Sequence, residues 1–192
     1  MKVAGLLLAA GRSTRFGAAD KLAALLDGRP LLDHAAAAMR ELDLAARFVV
    51  RPAGAVPCPG FVGLAVERSQ AGLGHSLAVG TRAARLAGAD AVLVALGDMP
   101  FVTSAHLAAV VTAGWGTDVL VASTDGAAPT PPALIGADWF PQLEALDADE
   151  GARPLLRQAR LVRAPAGTLR DIDTPADLAR QQDAGPKDNS SS

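Results

Sequence analysis

An α/β fold built on an open, doubly wound, mostly parallel sheet is what the sequence predicts, and three observations predict it. Short aliphatic runs without strict alternation recur at Val3 to Leu8, Phe48 to Val50, Ala91 to Leu96 and Val119 to Ala122, the pattern of strands covered on both faces. Longer stretches with helical spacing separate them. Helix-start residues (Pro30, Thr103 or Ser104, Asp138, Thr174-Pro175) recur between the runs, as strand and helix alternation requires. Such a sheet is linked by right-handed crossovers and places its ligand crevice beyond the carboxyl ends of the strands.

In chain order, Lys2 and the apolar run from Val3 to Ala10 imitate a short signal peptide. The run meets Arg12 and Arg15 directly and is far short of the roughly 20 residues of a membrane span, so it reads as a buried strand. Pro30 suits a first helical position. Arg51 to Gly63 is rich in Pro and Gly and reads as an irregular connection between strands. Ser76 is expected to cap, or to contact a ligand from, a helix running through Leu86. Thr103 or Ser104 caps a helix through Val111, Ala127 to Pro132 reads as a loop, Asp138 caps Trp139 to Leu146, and Thr174-Pro175 opens a last helix through Gln182. The polar stretch 185–192 has no apolar anchor and is expected to be a frayed tail behind a single domain over residues 1–184.

Composition narrows the class. The chain has 192 residues, 50% hydrophobic and 20% charged, which suits one domain with a full core. A formal net charge of -2 and 4% aromatics without a tyrosine give no reason to expect nucleic acid or an anionic membrane as partner. Cys58 is the only cysteine, so an internal disulfide and a multi-thiolate metal site are excluded and a cytoplasmic setting is expected.

The most informative segment follows the first strand: Leu8-Ala9-Ala10-Gly11-Arg12-Ser13-Thr14-Arg15-Phe16-Gly17, then Lys21-Leu22. Small residues let backbone approach a ligand, while successive N–H groups and the hydroxyls of Ser13 and Thr14 can donate to phosphate oxygens. Residues 1–29 carry a net charge of +3, leaving -5 for the rest. Lys21 is one of only three lysines, with Lys2 and Lys187, and a compact ammonium suits a phosphate chain. The plainer reading is a glycine-rich turn with solvated arginines. Neither G-x-x-x-x-G-K-[ST] nor G-x-G-x-x-G is present, so the loop is of another type.

The strand Ala91 to Leu96 ends in Gly97-Asp98-Met99-Pro100 and brings one carboxylate to the crevice edge. Asp98 can hold Mg²⁺, which is usually bound through one or two carboxylates plus substrate phosphates; otherwise it is a turn residue. Asp171 and Asp173, alternating around Ile172, can add a second carboxylate, or can simply favour the dipole of the helix that follows. Glu67 is a candidate contact to base or ribose. His34, His75 and His106 are scattered, and Gly74-His75-Ser76-Leu77-Ala78 departs from a G-x-S-x-G nucleophile elbow at Ala78. Trp115, Trp139, Phe140 and Cys58 are assigned to packing or loops.

Taken in order, the first loop, Lys21-Leu22, Gly97-Asp98-Met99-Pro100 and Asp171-Ile172-Asp173-Thr174-Pro175 make the chain resemble the MobA-like nucleotidyltransferases, especially the molybdenum cofactor cytidylyltransferases. Gly72-Leu73-Gly74-His75-Ser76-Leu77 and Asp149-Glu150-Gly151-Ala152-Arg153 also look like family segments. The resemblance implies a Rossmann-like domain of the nucleotide-diphospho-sugar transferase type, Mg²⁺ and a nucleoside triphosphate. It implies Arg15, Lys21 and Asp98 as catalytic residues. Leu8, Ala9, Ala10, Gly11, Arg12, Ser13, Arg15, Lys21, Glu67 and Asp98 would bind nucleotide, and Asp98 and Asp173 the metal.

Cytidylyl enzymes of the family carry Ala-Ala-Gly where guanylyl enzymes carry a second Gly, so Ala9-Ala10-Gly11 points to CTP, with the Ala10 methyl imagined to crowd a purine. The implied reaction transfers CMP from CTP to molybdopterin, with a molybdoenzyme client beyond it. GTP, a sugar, alditol or phospholactate acceptor, and a non-catalytic molybdopterin-holding protein are the alternatives. Phe16 in place of Met, Ala148 in place of Gly, and Thr130-Pro131-Pro132 depart from the family pattern; the latter two fall where the second substrate is expected.

Overall fold

The computed structural model describes residues 1–11, 21–67, 72–146 and 151–183. Its centre is β1 (Val3–Leu8) beside β6 (Ala91–Leu96), paired in parallel from Val3↔Ala91 to Leu8↔Leu96. These are the two aliphatic runs of the sequence, and every residue of β1 is buried. β4 (Ala46–Pro52) and β5 (Val62–Val66) extend the parallel sheet on one side. On the other side β8 (Thr130–Gly136) runs antiparallel to β6 and to β7 (Leu120–Thr124), and β9 (Arg160–Arg163) pairs in parallel with β7. The strand order is β5-β4-β1-β6-β8-β7-β9, with a separate two-stranded piece formed by β2 (Leu25–Leu26) and β3 (Arg29–Pro30).

Helices cover both faces. On one, α1 (Leu31–Arg40) and α3 (Ser104–Thr112) bury Leu32, Met39, Leu107 and Val110 with Leu7 and Leu93. On the other, α2 (Leu73–Leu86), α4 (Phe140–Glu144) and α5 (Arg153–Leu156) bury Leu77, Phe140, Leu143 and Leu156 with Leu6 and Val94. α6 (Pro175–Asp183) closes the molecule, with Leu178 against a small cluster of Leu26, Leu31 and Ile172. Among the described residues no helix is long and apolar enough to cross a membrane.

Local starts follow sequence chemistry with some departures. The Thr103 hydroxyl accepts from the His106 N–H at 3.2 Å and caps α3. Thr174 and Asp177 cap α6 reciprocally: the Asp177 carboxylate accepts from Thr174 N at 2.8 Å, and Asp177 N donates to Thr174 Oγ1 at 3.1 Å, a capping box. Pro30, however, precedes α1 rather than occupying its first turn. Ser76 lies inside α2, whose cap position is Gly72. Asp138 falls in a 3₁₀ turn (Ala137–Trp139) ahead of α4, and its side chain caps nothing. Thr130 to Pro132 begin a strand instead of ending a loop. The expected tail at 185–192 lies outside the described residues.

One buried polar chain ties α3 to the sheet. Ser123 Oγ donates to the Pro132 carbonyl at 2.7 Å and lies 2.8 Å from His106 Nε2; since the hydroxyl proton is committed, Nε2–H is the donor to Ser123. Burial pushes the His106 imidazole below the usual histidine range. A base depressed in the folded state binds more protons unfolded, so its contribution is full above about pH 6.5 and is lost as pH falls through the depressed value. Thermal midpoints are expected to fall as pH drops below about 6.5, and less so in His106→Gln, which keeps a donor without a titrating ring; equal slopes in the two proteins would refute the assignment.

Candidate active site

The carboxyl ends of β1 and β6 meet at a crevice edge, and three backbone features build it. Ala9 N donates to Val50 O at 2.9 Å, carrying the chain past β1, and Gly97 N donates to Leu8 O at 2.9 Å. A Cβ at Gly97 would lie 3.0 Å from Leu32 Cδ1 and 3.3 Å from Leu8 O, so only glycine lets the turn after β6 lie against the end of β1 without displacing a neighbour. Among the described residues, Gly11 by contrast has nothing within 4 Å of where a Cβ would stand.

Lys21 sits at the start of a 3₁₀ turn (Lys21–Ala23), with its side chain only 8% exposed. Its ammonium lies 2.8 Å from Asp98 Oδ2 and 2.6 Å from Asp173 Oδ1. Burial pulls the ammonium down, but the hydrogen bonds and charges of Asp173 and Asp98 outweigh it and hold Lys21 above the usual lysine range. It remains a cation at any physiological pH. The C-terminal segment is fixed here by its backbone: Ile172 N donates to Asp98 O at 3.0 Å, and the wholly buried Ile172 anchors it among Leu26 and Leu31. Asp173 thus supplies the second carboxylate at Lys21. Asp171 is held above the usual aspartate range, first by partial desolvation and then by repulsion from Asp173 and Asp98.

These residues suit a hard divalent cation. Two carboxylates already converge on one positive charge, and no group of three or more His, Cys, Asp or Glu side chains is assembled among the described residues. Few protein ligands, with waters and substrate phosphates completing the shell, is what Mg²⁺ takes.

The structure brings together Lys21, Asp98 and Asp173, and places Leu8 and Ala9 against Gly97, next to Asp98. Ala9 and Ala10 are 5% and 2% exposed and belong to the cores on opposite faces of the sheet; the Ala10 methyl is packed against protein, not turned toward a base. Glu67 is exposed at the carboxyl end of the sheet, just past β5 and two strands out from β1. Arg12, Ser13 and Arg15, with Thr14, Phe16, Ala148 and Asp149, lie outside the described residues. His34 Nε2–H donates to Leu26 O at 2.9 Å and His106 bonds to Ser123 within the core, so neither is part of this site.

Beside it is an apolar cleft that sequence reasoning did not assemble. Leu73 and Leu77 of α2, Leu8, Val94 and Leu96 of the sheet, Pro129 to Pro131 before and within β8, and Ala152 and Arg153 at α5 line it. Three segments far apart in sequence thereby share one wall, and Arg153 is the cation among them. The signal was divided between Gly72 to Leu77, Thr130 to Pro132 and Gly151 to Arg153, and no spacing rule joins such pieces.

Residues 5–164 match the family described as MobA-like NTP transferase domain. The chain is 33% identical over 190 residues to the purine catabolism protein PucB of Bacillus subtilis, covering 89% of this chain and 91% of that one. Among solved structures, the Rv0371c homologue from Mycobacterium sp. strain JC1 superposes with a TM-score of 0.81 at 24% identity, covering 96% of this chain and 98% of that one. Rv0371C of Mycobacterium tuberculosis, described as a complex with manganese, has a TM-score of 0.78 at 23% identity, with 96% and 100% covered. At those identities the two structures speak for the fold.

Proposed function

The chain belongs to the MobA-like NTP transferase family, and on that premise we propose that it transfers CMP from CTP to molybdopterin with release of pyrophosphate. The observation that carries the reading is the Lys21 ammonium held between Asp98 and Asp173 where β1 and β6 end. Chemistry of this kind asks for positioning and charge stabilisation rather than a covalent enzyme intermediate. An oxygen of the acceptor's terminal phosphate forms a bond to the α-phosphorus of the nucleotide, and the bond from that phosphorus to the bridging oxygen breaks in line, leaving pyrophosphate with the electron pair. The attacking phosphate is largely ionised near neutral pH, so no histidine is required as base.

Each residue then has a task. Gly11 leaves room for the triphosphate, with Arg12, Ser13 and Arg15 of the following loop donating to its oxygens, and Lys21 supplies a compact positive charge. Asp98 and Asp173 would hold Mg²⁺. When bound, that ion would neutralise charge on the phosphate oxygens. The apolar cleft offers the acceptor walls of Leu and Pro and the Arg153 cation, and its free space of about 70 Å³ would have to widen before a pterin ring could enter. The preference for CTP rests on the Ala9-Ala10-Gly11 pattern; since both methyls are buried, they act by setting the backbone path. Support for the general chemistry also comes from a fold relative described with manganese.

The test is direct. Purified protein, Mg²⁺, each nucleoside triphosphate and each candidate acceptor are combined and pyrophosphate is measured. Release is expected with CTP and molybdopterin together and with neither alone. Release with GTP or with a sugar or alditol phosphate would reassign the substrate, and molybdopterin binding without release would make the protein a carrier.

A further inference from the structure

We propose that Lys21 is a resident counter-ion that holds the space between Asp98 and Asp173 until a divalent ion takes it, so that entry of the ion and transfer of the ammonium to the nucleotide's phosphates are coupled. The inference rests on the metal role given above to the two carboxylates and goes beyond it to the order in which ligands assemble.

The geometry makes the two cations competitors. The ammonium is 2.8 Å and 2.6 Å from carboxylate oxygens that arrive from separate segments, the turn after β6 and the stretch before α6. Without a positive charge between them these carboxylates would repel across the crevice. The Asp98 and Asp173 side chains are 28% and 41% exposed, whereas Lys21 is 8% exposed. An incoming ion therefore meets carboxylates that are accessible but already half neutralised by Lys21 from the protein side. Divalent Mg²⁺ takes oxygens at about 2.0–2.1 Å, so an ion on these oxygens would lie within roughly 5 Å of the ammonium and repel it. If the ammonium withdraws with no new partner, a largely buried cation is left unpaired, an unfavourable state. A triphosphate supplies that partner. Gly11, past the end of the adjoining strand, carries no side chain and meets no described residue within 4 Å of where a Cβ would stand, so such a chain can approach the backbone there. Ion alone should bind weakly, and ion and nucleotide should each strengthen the other by the same factor.

The experiment needs no turnover. Mn²⁺ binding to the nucleotide-free protein is titrated by electron paramagnetic resonance for the wild type, Lys21→Met and Lys21→Arg. Lys21→Met is expected to bind Mn²⁺ about tenfold tighter or more, the scale of one screened unit charge removed at close range, and Lys21→Arg as weakly as wild type. A second measurement needs no variant. With only three lysines in the chain, ¹³C-labelled lysine ε-methylenes give three resonances, and saturating Mg²⁺ should move that of Lys21 toward the positions of solvated lysines. Equal Mn²⁺ affinities in wild type and Lys21→Met, or an unmoved Lys21 resonance at saturation, would overturn the exchange while sparing the metal site. Absence of Mn²⁺ binding in all three proteins would overturn both.

Discussion

Asp98→Asn is expected to lower turnover by about a thousandfold, on the order of the loss when a preorganised charge-stabilising group is removed, while leaving the fold in place. The substitution keeps the size of the side chain and an oxygen that can accept from Lys21, and Lys21 retains its bond to Asp173. The backbone anchor from Ile172 N to Asp98 O at 3.0 Å does not involve the side chain at all. What disappears is one of two negative charges. The two quantities to measure are steady-state pyrophosphate release and the thermal midpoint. Loss of release with a midpoint within a few degrees of wild type is the expected pair; release within about threefold of wild type would remove Asp98 from metal binding.

Gly136→Ala is expected to be the most damaging single-methyl change to stability, by about 2–4 kcal/mol. Gly136 ends β8 where three strands are laced together: its N–H donates to Val119 O at 2.8 Å, Ala137 N donates to Asp90 O at 2.8 Å and Asp138 N donates to Thr117 O at 2.9 Å. A Cβ there would overlap the Thr117 carbonyl and sit 2.9 Å from Val119 N. All of that is backbone, and it cannot move without breaking the lacing. Gly80 makes the comparison useful. Its Cβ would overlap the methyl groups of Leu6, but these belong to a side chain that can change rotamer, and alanine is the better helix former by about 1 kcal/mol. Gly80→Ala should therefore be the milder of the two. Urea unfolding midpoints at unchanged m-value would rank them, and a Gly136→Ala midpoint above that of Gly80→Ala would contradict the argument.

How far the sequence reached depends on the kind of signal. β1 and β6 were legible to the residue, because a strand covered on both faces is a bare aliphatic run between polar ends. α3 and α6 were legible from their capping threonines. β8 was hidden because Pro131 and Pro132 read as strand breakers, yet they stand at its beginning, and its pairing with β7 is already irregular between Ala122 and Ser123. β9 is four residues at the sheet edge, largely exposed, so it carries no apolar pattern to find. Asp98 could be nominated from its place after a central strand. That Lys21 would meet both Asp98 and Asp173, 77 and 152 residues further on, is a product of sheet order, and no local pattern contains it. The resemblance to a family supplied those residues together, and the fold explains why they belong together.

The reversed direction of β8 has a consequence for how such a protein can change. Parallel strands offer the crevice only their exits, whereas β7 leaves and β8 enters at that same end, joined by residues 125–129. A hairpin connection can lengthen, shorten or be swapped without altering strand order, since turns tolerate insertion far better than sheets do. Its far side, Pro129 to Pro131, forms part of the apolar cleft and none of the lysine–aspartate cluster. Descendants of one ancestral chain could thus reshape the apolar cleft by editing a single exposed arm, with the lysine–aspartate cluster inherited untouched.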